Sequence, residues 1–169
     1  MAELLECRVL LAAQIVTPAI SATPLTVGQP LNVTLNYDVQ DPAASSPTGL
    51  GLRLHYDSSV LQFNSLSNVL SDSFSTSEDR AEDVDDGNIR TDRVVNVLWL
   101  KLVGDWPSNP LPATLLTAQF TALATADTSA INFSGETSPG YDFVSTSVMI
   151  DNVAPTVAVD IASASLNDS

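Results

Sequence analysis

The sequence predicts an all-β sandwich, and two features carry this prediction. Short segments with an apolar residue at every second position recur along the chain, and turn residues separate them. A period of two places alternate side chains on opposite faces of a strand, so one face of each segment can be buried. No segment has the apolar spacing of an amphipathic helix of normal length. About eight or nine such strands without helices indicate two sheets packed face to face.

The clearest strand signal lies in residues 49–61, GLGLRLHYDSSVL. Leu50, Leu52, Leu54 and Tyr56 form the apolar parity, which predicts one buried face. An Asp-Ser-Ser turn at residues 57–59 follows, and its side chains can bond their own backbone. The chain is therefore expected to reverse there and to continue as a second strand over residues 60–66.

The other predicted strands follow in chain order. Residues 31–39 and 114–123 alternate regularly, while residues 94–100 (VVNVLWL) are nearly continuously apolar and predict a well-buried strand. Residues 130–133 and 143–150 complete the set, together with the apolar run at residues 8–16, which ends at Thr17-Pro18 and for which a helix is the alternative. All ten prolines fall outside the predicted strand interiors, as the missing ladder N–H would require.

Residues 67–90 form a polar, acidic segment, which predicts a solvated loop. An Asp86-Gly87-Asn88 turn lies near its end. The oxygen-bearing side chains of Asp83, Asp85, Asp86 and Asn88 make a candidate structural calcium site. Aligned with an EF-hand loop, however, the segment puts Val84 and Arg93 at ligand positions, so a solvated hairpin turn is the alternative.

The composition excludes several classes of function. The chain has 169 residues, with 20 acidic against 6 basic side chains and a net charge of −14. Nucleic acid and anionic membrane surfaces are poor partners because phosphate contacts need Lys and Arg. A divalent cation or a basic protein patch is compatible with this charge. No apolar run reaches the roughly 18 residues of a membrane-spanning helix, so we expect no membrane insertion.

Single reactive residues limit the chemistry further. One cysteine, Cys7, permits no internal disulfide, and one histidine, His55, excludes a multi-histidine metal site. We expect His55 to face solvent from its strand. No G-x-S-x-G elbow surrounds a serine, and the many acids make a chance carboxylate pair uninformative. The sequence therefore predicts a protein that is not an enzyme and needs no cofactor other than a candidate structural calcium ion.

Four segments in order resemble a cohesin-type module of the non-cellulosomal kind. They are PLTVGQPLNVTLNYDV (residues 24–39), GLGLRLHYDSSVL (49–61), DDGNIR with the strand after it (85–100), and LLTAQFTA (115–122). The resemblance spans roughly residues 15–150. It implies a nine-stranded jelly-roll β-sandwich that binds a dockerin-like protein module through one flat sheet face, without catalysis. Carbohydrate-binding modules are neighbours of this family, so a polysaccharide is the alternative partner.

The resemblance also suggests which residues bind a partner. The outward parity of the 49–61 segment and that of the 114–123 strand give two candidate surfaces for a partner: Gly49, Gly51, Arg53 and His55, and Thr117, Gln119 and Thr121. For a carbohydrate ligand, Trp106 and Tyr141 are the candidate stacking residues, although a tryptophan beside a proline in a loop can equally plug the end of the sandwich.

The domain organisation predicted from the sequence has three parts. Residues 1–14 are an N-terminal extension or first strand, residues 15–150 the cohesin-like sandwich, and residues 151–169 a linker that resembles the start of a bacterial Ig-like repeat. The excess of Asp over Glu and the single lysine fit an extracellular or cell-surface setting. A structural spacer in a surface adhesin is accordingly a third functional hypothesis.

Overall fold

A computed structural model describes residues 12–21, 26–40, 48–123, 129–135, 141–145 and 148–150. These residues form ten β-strands and no helix. The strands are β1 (Ala12–Ile20), β2 (Pro30–Val39), β3 (Gly49–Tyr56), β4 (Leu61–Ser67), β5 (Phe74–Ala81), β6 (Arg93–Leu100), β7 (Ala113–Ala122), β8 (Ser129–Gly135), β9 (Tyr141–Ser145) and β10 (Val148–Ile150). The all-β class predicted from the sequence is confirmed.

The strands divide into two five-stranded sheets. The first sheet has the order β4-β7-β2-β1-β9, and the second has the order β10-β8-β3-β6-β5. All pairings are antiparallel except the parallel pair of β1 with β9. Sheet neighbours are mostly distant in sequence, as in sandwiches whose strands cross between two sheets.

The core lies between the sheets and follows the sequence alternation. Side chains alternate between buried and partly exposed along all of β2 after Pro30, and the apolar parity of β3 is buried as predicted. The largest fully buried side chains include Trp99 from the second sheet and Tyr37 and Phe120 from the first. Burying a Leu or Phe side chain stabilises a fold by about 1.5–3 kcal/mol, so this core is the main source of stability.

The prediction of a continuous loop over residues 67–90 was wrong in part. Strand β5 (Phe74–Ala81) occupies its middle and pairs with β6 along its whole length. Among the described strands β5 lies at the edge of the second sheet, and its described side chains from Ser77 onward are polar apart from Ala81. An edge strand is held by backbone pairing and often carries charge, so it lacks the apolar pattern that reveals a central strand.

The prediction that every proline avoids strand interiors was also wrong. Pro18 lies inside β1 and opposes Leu35 of β2. The parallel pairing of β1 with β9 covers only Ala12 to Val16. In the described pairing Pro18 therefore has a strand on one side alone, which is the position where a residue without an N–H is tolerated.

The predicted domain limits are only partly within the described residues. Strand β1 begins at Ala12, and the single predicted segment 143–150 corresponds to the two strands β9 and β10. Residues 1–11, which are most of the predicted 1–14 segment and include Cys7, and residues 151–169, the predicted Ig-like tail, lie outside the described residues. Their assignment stays a prediction.

Candidate functional site

The outer face of the second sheet carries a shallow depression above Gly51. It has a volume of about 230 Å³, and the side chains at its rim are Arg53, Glu78, Arg80, Asn96 and Leu98. The neighbouring strands β3, β6 and β5 contribute these residues. Between β3 and β6, Gly51 is paired with Leu98 and Arg53 with Asn96. Between β5 and β6, Glu78 is paired with Asn96. Gly51, which has no side chain, forms part of the floor of the depression.

Strand β6 adds exposed apolar side chains to the same face. Leu98 is 37 % exposed and Leu100 is 50 % exposed. Leu102 and Val103, directly after the strand, are more exposed still. The sequence prediction of a well-buried strand over residues 94–100 was therefore wrong for the two leucines, because a continuous apolar run does not reveal which parity faces outward.

Polar contacts order the rim of the depression. With its amide oriented so that the oxygen faces the guanidinium, Asn96 accepts hydrogen bonds from Arg80 Nε and Nη2 at 2.7 and 2.8 Å. Arg80 also contacts Asp83 through Nη1 at 2.9 Å. The guanidinium is thus held across the sheet surface between β6 and the loop of residues 82–92 that follows β5, which we call the acidic loop.

Gly49 allows β3 and β6 to approach closely. A Cβ atom at this position would lie 2.1 Å from the backbone oxygen of Trp99. The close approach of β6 therefore requires a glycine at the start of β3. Of the two glycines predicted on the binding face, only Gly51 lines the depression.

His55, the last outward residue of β3, does not face solvent as predicted. Its side chain is 0 % exposed. Its Nδ1 lies 2.7 Å from Glu82 Oε1, and its Nε2 lies 2.8 Å from Ser134 Oγ. Strand parity identified the correct face, but the acidic loop after β5 and strand β8 cover that end of the face.

Asp86 extends the same cluster. Its Oδ2 accepts a hydrogen bond from Asn132 Nδ2 at 2.9 Å, and its Oδ1 accepts from Thr91 Oγ1 at 2.8 Å. Partial burial acts to raise the pKa of Asp86, but hydrogen bonds from the Asn88 amide, Asn132 and Thr91 together hold it below its ordinary value. One ligand atom each of His55, Glu82 and Asp86 lies within 4.8 Å of the others. We call these three residues the His55 cluster.

The four residues of the candidate calcium site already have hydrogen-bond or ion-pair partners, within the loop and on neighbouring strands. Asp85 and Asp86 each accept a hydrogen bond from the backbone amide two residues later, as in Asx turns. Asn88 accepts one from the Arg90 amide, and Asp83 pairs with Arg80. Calcium binding by Asp83, Asp85, Asp86 and Asn88 together stays a prediction.

The outer face of the first sheet differs in character. Thr117, Gln119 and Thr121 of β7 lie there, so the two predicted partner surfaces belong to different sheets. Side-chain hydrogen bonds pair these residues with neighbouring strands: Thr117 with Thr34, Gln119 with Ser65, and Thr121 with Asn64. On this face, which we call the polar ladder, polar side chains of β7 form hydrogen bonds with side chains of the neighbouring strands.

The burial of Trp106 argues against this residue as a stacking platform for a carbohydrate. Trp106 is 1 % exposed, packs edge-on against Tyr37 with ring centroids 5.0 Å apart, and donates Nε1–H to the Asp72 carbonyl at 3.0 Å. A buried ring offers no face to a sugar, so the plug interpretation is correct. Tyr141 begins β9, and its side chain lies outside the described part of the structure.

Solved structures with a similar fold are cohesin modules. One similar structure is the cohesin module of a family 33 glycoside hydrolase from Clostridium perfringens, with 13% identity, a TM-score of 0.56, and coverage of 83% of this chain and 98% of that one. Another is the seventh ScaB type I cohesin from Pseudobacteroides cellulosolvens, with 16% identity, a TM-score of 0.54, and coverage of 88% and 96%.

A third similar structure is the third ScaC cohesin from Acetivibrio cellulolyticus, solved in complex with the ScaB dockerin. It has 12% identity and a TM-score of 0.53, and the match covers 82% of this chain and 99% of that one. No protein-family profile matches the chain, and no curated protein matches its sequence. The chain therefore has the cohesin fold, which confirms the fold implied by the resemblance.

The described residues contain no helix with the length and hydropathy that would let it cross a bilayer.

Proposed function

We propose that the chain is a non-catalytic binding module that docks a dockerin-like protein through the outer face of its second sheet. The observation that carries this proposal is the combination of exposed leucines at positions 98 and 100 with the depression above Gly51. Contiguous exposed apolar groups rimmed by polar residues are typical of protein–protein contact sites.

The contrast between the two outer faces supports the choice of sheet. The first sheet presents the polar ladder of Thr117, Gln119 and Thr121, whose groups are already paired. The second sheet offers apolar contact area together with charged groups that can fix the orientation of a partner, namely Arg53, Glu78 and Arg80. An apolar centre with a polar rim is the usual anatomy of a specific interface.

The kind of partner is suggested by the similar structures. The Acetivibrio cellulolyticus ScaC cohesin was solved with a dockerin, and this chain has the same fold. A dockerin-like module from the same source genome is therefore the first candidate, with the outer face of the second sheet as its site. We further infer that the module works outside the cell or on its surface, as the acidic composition suggests.

Affinity measurements with a double variant test the proposal. Leu98→Ala combined with Leu100→Ala removes the exposed apolar groups while leaving the inward parity of β6 unchanged. Isolated dockerin-like modules of the source genome would be titrated by calorimetry in the presence of calcium. We expect one module to bind the wild type, and the double variant to bind it at least about tenfold more weakly, since truncating central apolar contacts is costly.

The matched control lies on the opposite face. Gln119→Ala combined with Thr121→Ala alters the first sheet and should leave the affinity unchanged. If the control variant weakens binding as much as the leucine variant does, the assignment of the docking face to the second sheet is wrong. If no module binds the wild type, the dockerin proposal fails and the spacer hypothesis gains support.

A further inference from the structure

We propose that the His55 cluster is a binding site for one first-row transition-metal ion, best met by Zn²⁺. The proposed ligands are His55 Nδ1, a Glu82 carboxylate oxygen and an Asp86 carboxylate oxygen. This site is distinct from the calcium site predicted within the acidic loop, with which it shares only Asp86. It does not depend on which partner the outer face binds.

The geometry of the cluster is close to that of a metal site. Its three ligand atoms lie within 4.8 Å of one another, and His55 Nδ1 is 2.7 Å from Glu82 Oε1. Zinc binds nitrogen and oxygen at about 2.0–2.2 Å, which separates two ligands of a tetrahedral site by roughly 3.4 Å. Replacing the proton shared by His55 and Glu82 with a metal ion requires these two ligand atoms to separate by about 0.7 Å and the widest pair of the cluster to close by up to about 1.4 Å.

Neighbouring groups already hold the ligands as metal ligands are usually held. Ser134 Oγ lies 2.8 Å from Nε2, the other ring nitrogen of His55, and can accept its N–H when Nδ1 binds metal. Asn132 and Thr91 donate to the two oxygens of Asp86. Such outer partners fix the ring orientation and the carboxylate position in metalloproteins.

Charge and burial give a reason for a cation to bind. Two carboxylates that approach a fully buried imidazole repel each other, and burial removes the water that would screen them. A divalent cation compensates both negative charges at once. The loop from Glu82 to Asp92 is closed at its base by a hydrogen bond from the Glu82 amide to the Asp92 carbonyl at 2.9 Å. The ligands from β3 and from this loop are thus positioned by backbone structure.

The donor set determines which ion fits. An imidazole nitrogen is a preferred ligand of Zn²⁺, Cu²⁺, Fe²⁺ and Ni²⁺, whereas Ca²⁺ takes about six to eight oxygen ligands. Three protein ligands leave room for one water in a tetrahedral site. The cluster is therefore expected to select Zn²⁺ over Ca²⁺.

Calorimetric titration of the full chain with Zn²⁺, together with the absorption spectrum of added Co²⁺, tests the proposal. We expect one Zn²⁺ per chain, visible-range Co²⁺ absorption that Zn²⁺ abolishes, and no competition from equimolar Ca²⁺. Glu82→Gln and Asp86→Asn should each weaken Zn²⁺ binding by more than about tenfold. A third variant, His55→Gln, removes the imidazole ligand from a fully buried position. If it fails to fold, the two carboxylate variants still test the proposal, because Glu82 and Asp86 are only partly buried.

Two controls decide whether binding is specific. Asp105→Asn removes the same charge from an exposed side chain that belongs to neither metal site and should leave the affinity unchanged. Cys7→Ser removes the chain's thiol and should also have no effect. Absence of saturable Zn²⁺ binding to the wild type overturns the proposal, and so does an equal loss in either control variant.

Discussion

Gly49 shows how one residue fixes the spacing of two strands. It begins β3 with φ near +156°, and a Cβ atom there would collide with the Trp99 carbonyl oxygen. The contacting atom is backbone and cannot rotate away. The strand pair must therefore separate to admit any side chain at this position.

We predict that Gly49→Ala lowers the free energy of unfolding by about 2–4 kcal/mol, from backbone strain and overpacking combined. Urea denaturation followed by circular dichroism measures the change. Gly28→Ala is the matched control, since Gly28 also has a positive φ of +84° but a Cβ there meets nothing within 4 Å. An equal loss of unfolding free energy in both variants would show that the close contact of Gly49 with β6 does not add to the cost of the substitution.

His55 illustrates what a sequence can and cannot reveal at this scale. The alternation of β3 placed it on the outward parity, and that assignment agrees with the structure. Its burial depends on Glu82 and Ser134, which are 27 and 79 positions away. Local periodicity contains no information about a loop that folds back over a sheet face, so the cluster could not be found from the sequence.

At the scale of elements, all the described strands except β5 correspond to segments predicted from the sequence, but the outward side chains were predictable only where apolar and polar residues alternate. Strand β2 buries one parity and leaves the other partly exposed, and β3 does so as far as Arg53, before the buried His55. This is the pattern that periodicity detects. Strand β5 has polar side chains at an edge, and β6 has leucines on its outer face. An edge position in β5 and apolar residues on both faces of β6 depart from the simple pattern, so the exposed leucines were hidden inside an apolar run.

Asp72 joins two loops at one end of the sandwich. Its carboxylate accepts hydrogen bonds from the Ser108 amide at 2.6 Å and from Lys101 Nζ at 3.3 Å. The hydrogen bond from the Ser108 amide is the main reason that the pKa of Asp72 lies below its ordinary value. The ionised carboxylate is therefore favoured by the folded state.

This shift predicts how stability depends on pH. A carboxyl group whose pKa is lowered on folding stabilises the protein above its unfolded pKa of about 3.9, and the contribution disappears as pH falls through the folded pKa. Asp72→Asn should therefore lower the urea midpoint at pH 7, and the difference from wild type should shrink below about pH 4. Asp105→Asn, an exposed change of the same charge, is the control. A pH-independent difference would contradict an ionic role for Asp72.

At the scale of the whole molecule, Trp106 connects the two sheets. Its ring contacts Tyr37 of the first sheet, with centroids 5.0 Å apart, and Trp99 of the second, with centroids 5.9 Å apart. Trp99 and Trp106 also donate to the carbonyls of Leu70 and Asp72, which lie in the segment between β4 and β5. The aromatic group thus closes one end of the sandwich, while the His55 cluster lies where the acidic loop meets β3 and β8.

Replacing Trp106 tests whether the two sheets unfold as one unit. We expect Trp106→Ala to lower the free energy of unfolding by about 3–5 kcal/mol, because it removes a large buried ring and leaves a cavity between the sheets. Trp106→Phe keeps an aromatic contact but loses the hydrogen bond to Asp72, so its loss should be smaller. Denaturation followed by both far- and near-ultraviolet circular dichroism should give coincident single transitions. Two separated transitions in the wild type would show that the sheets are stabilised independently and that the ring does not couple them.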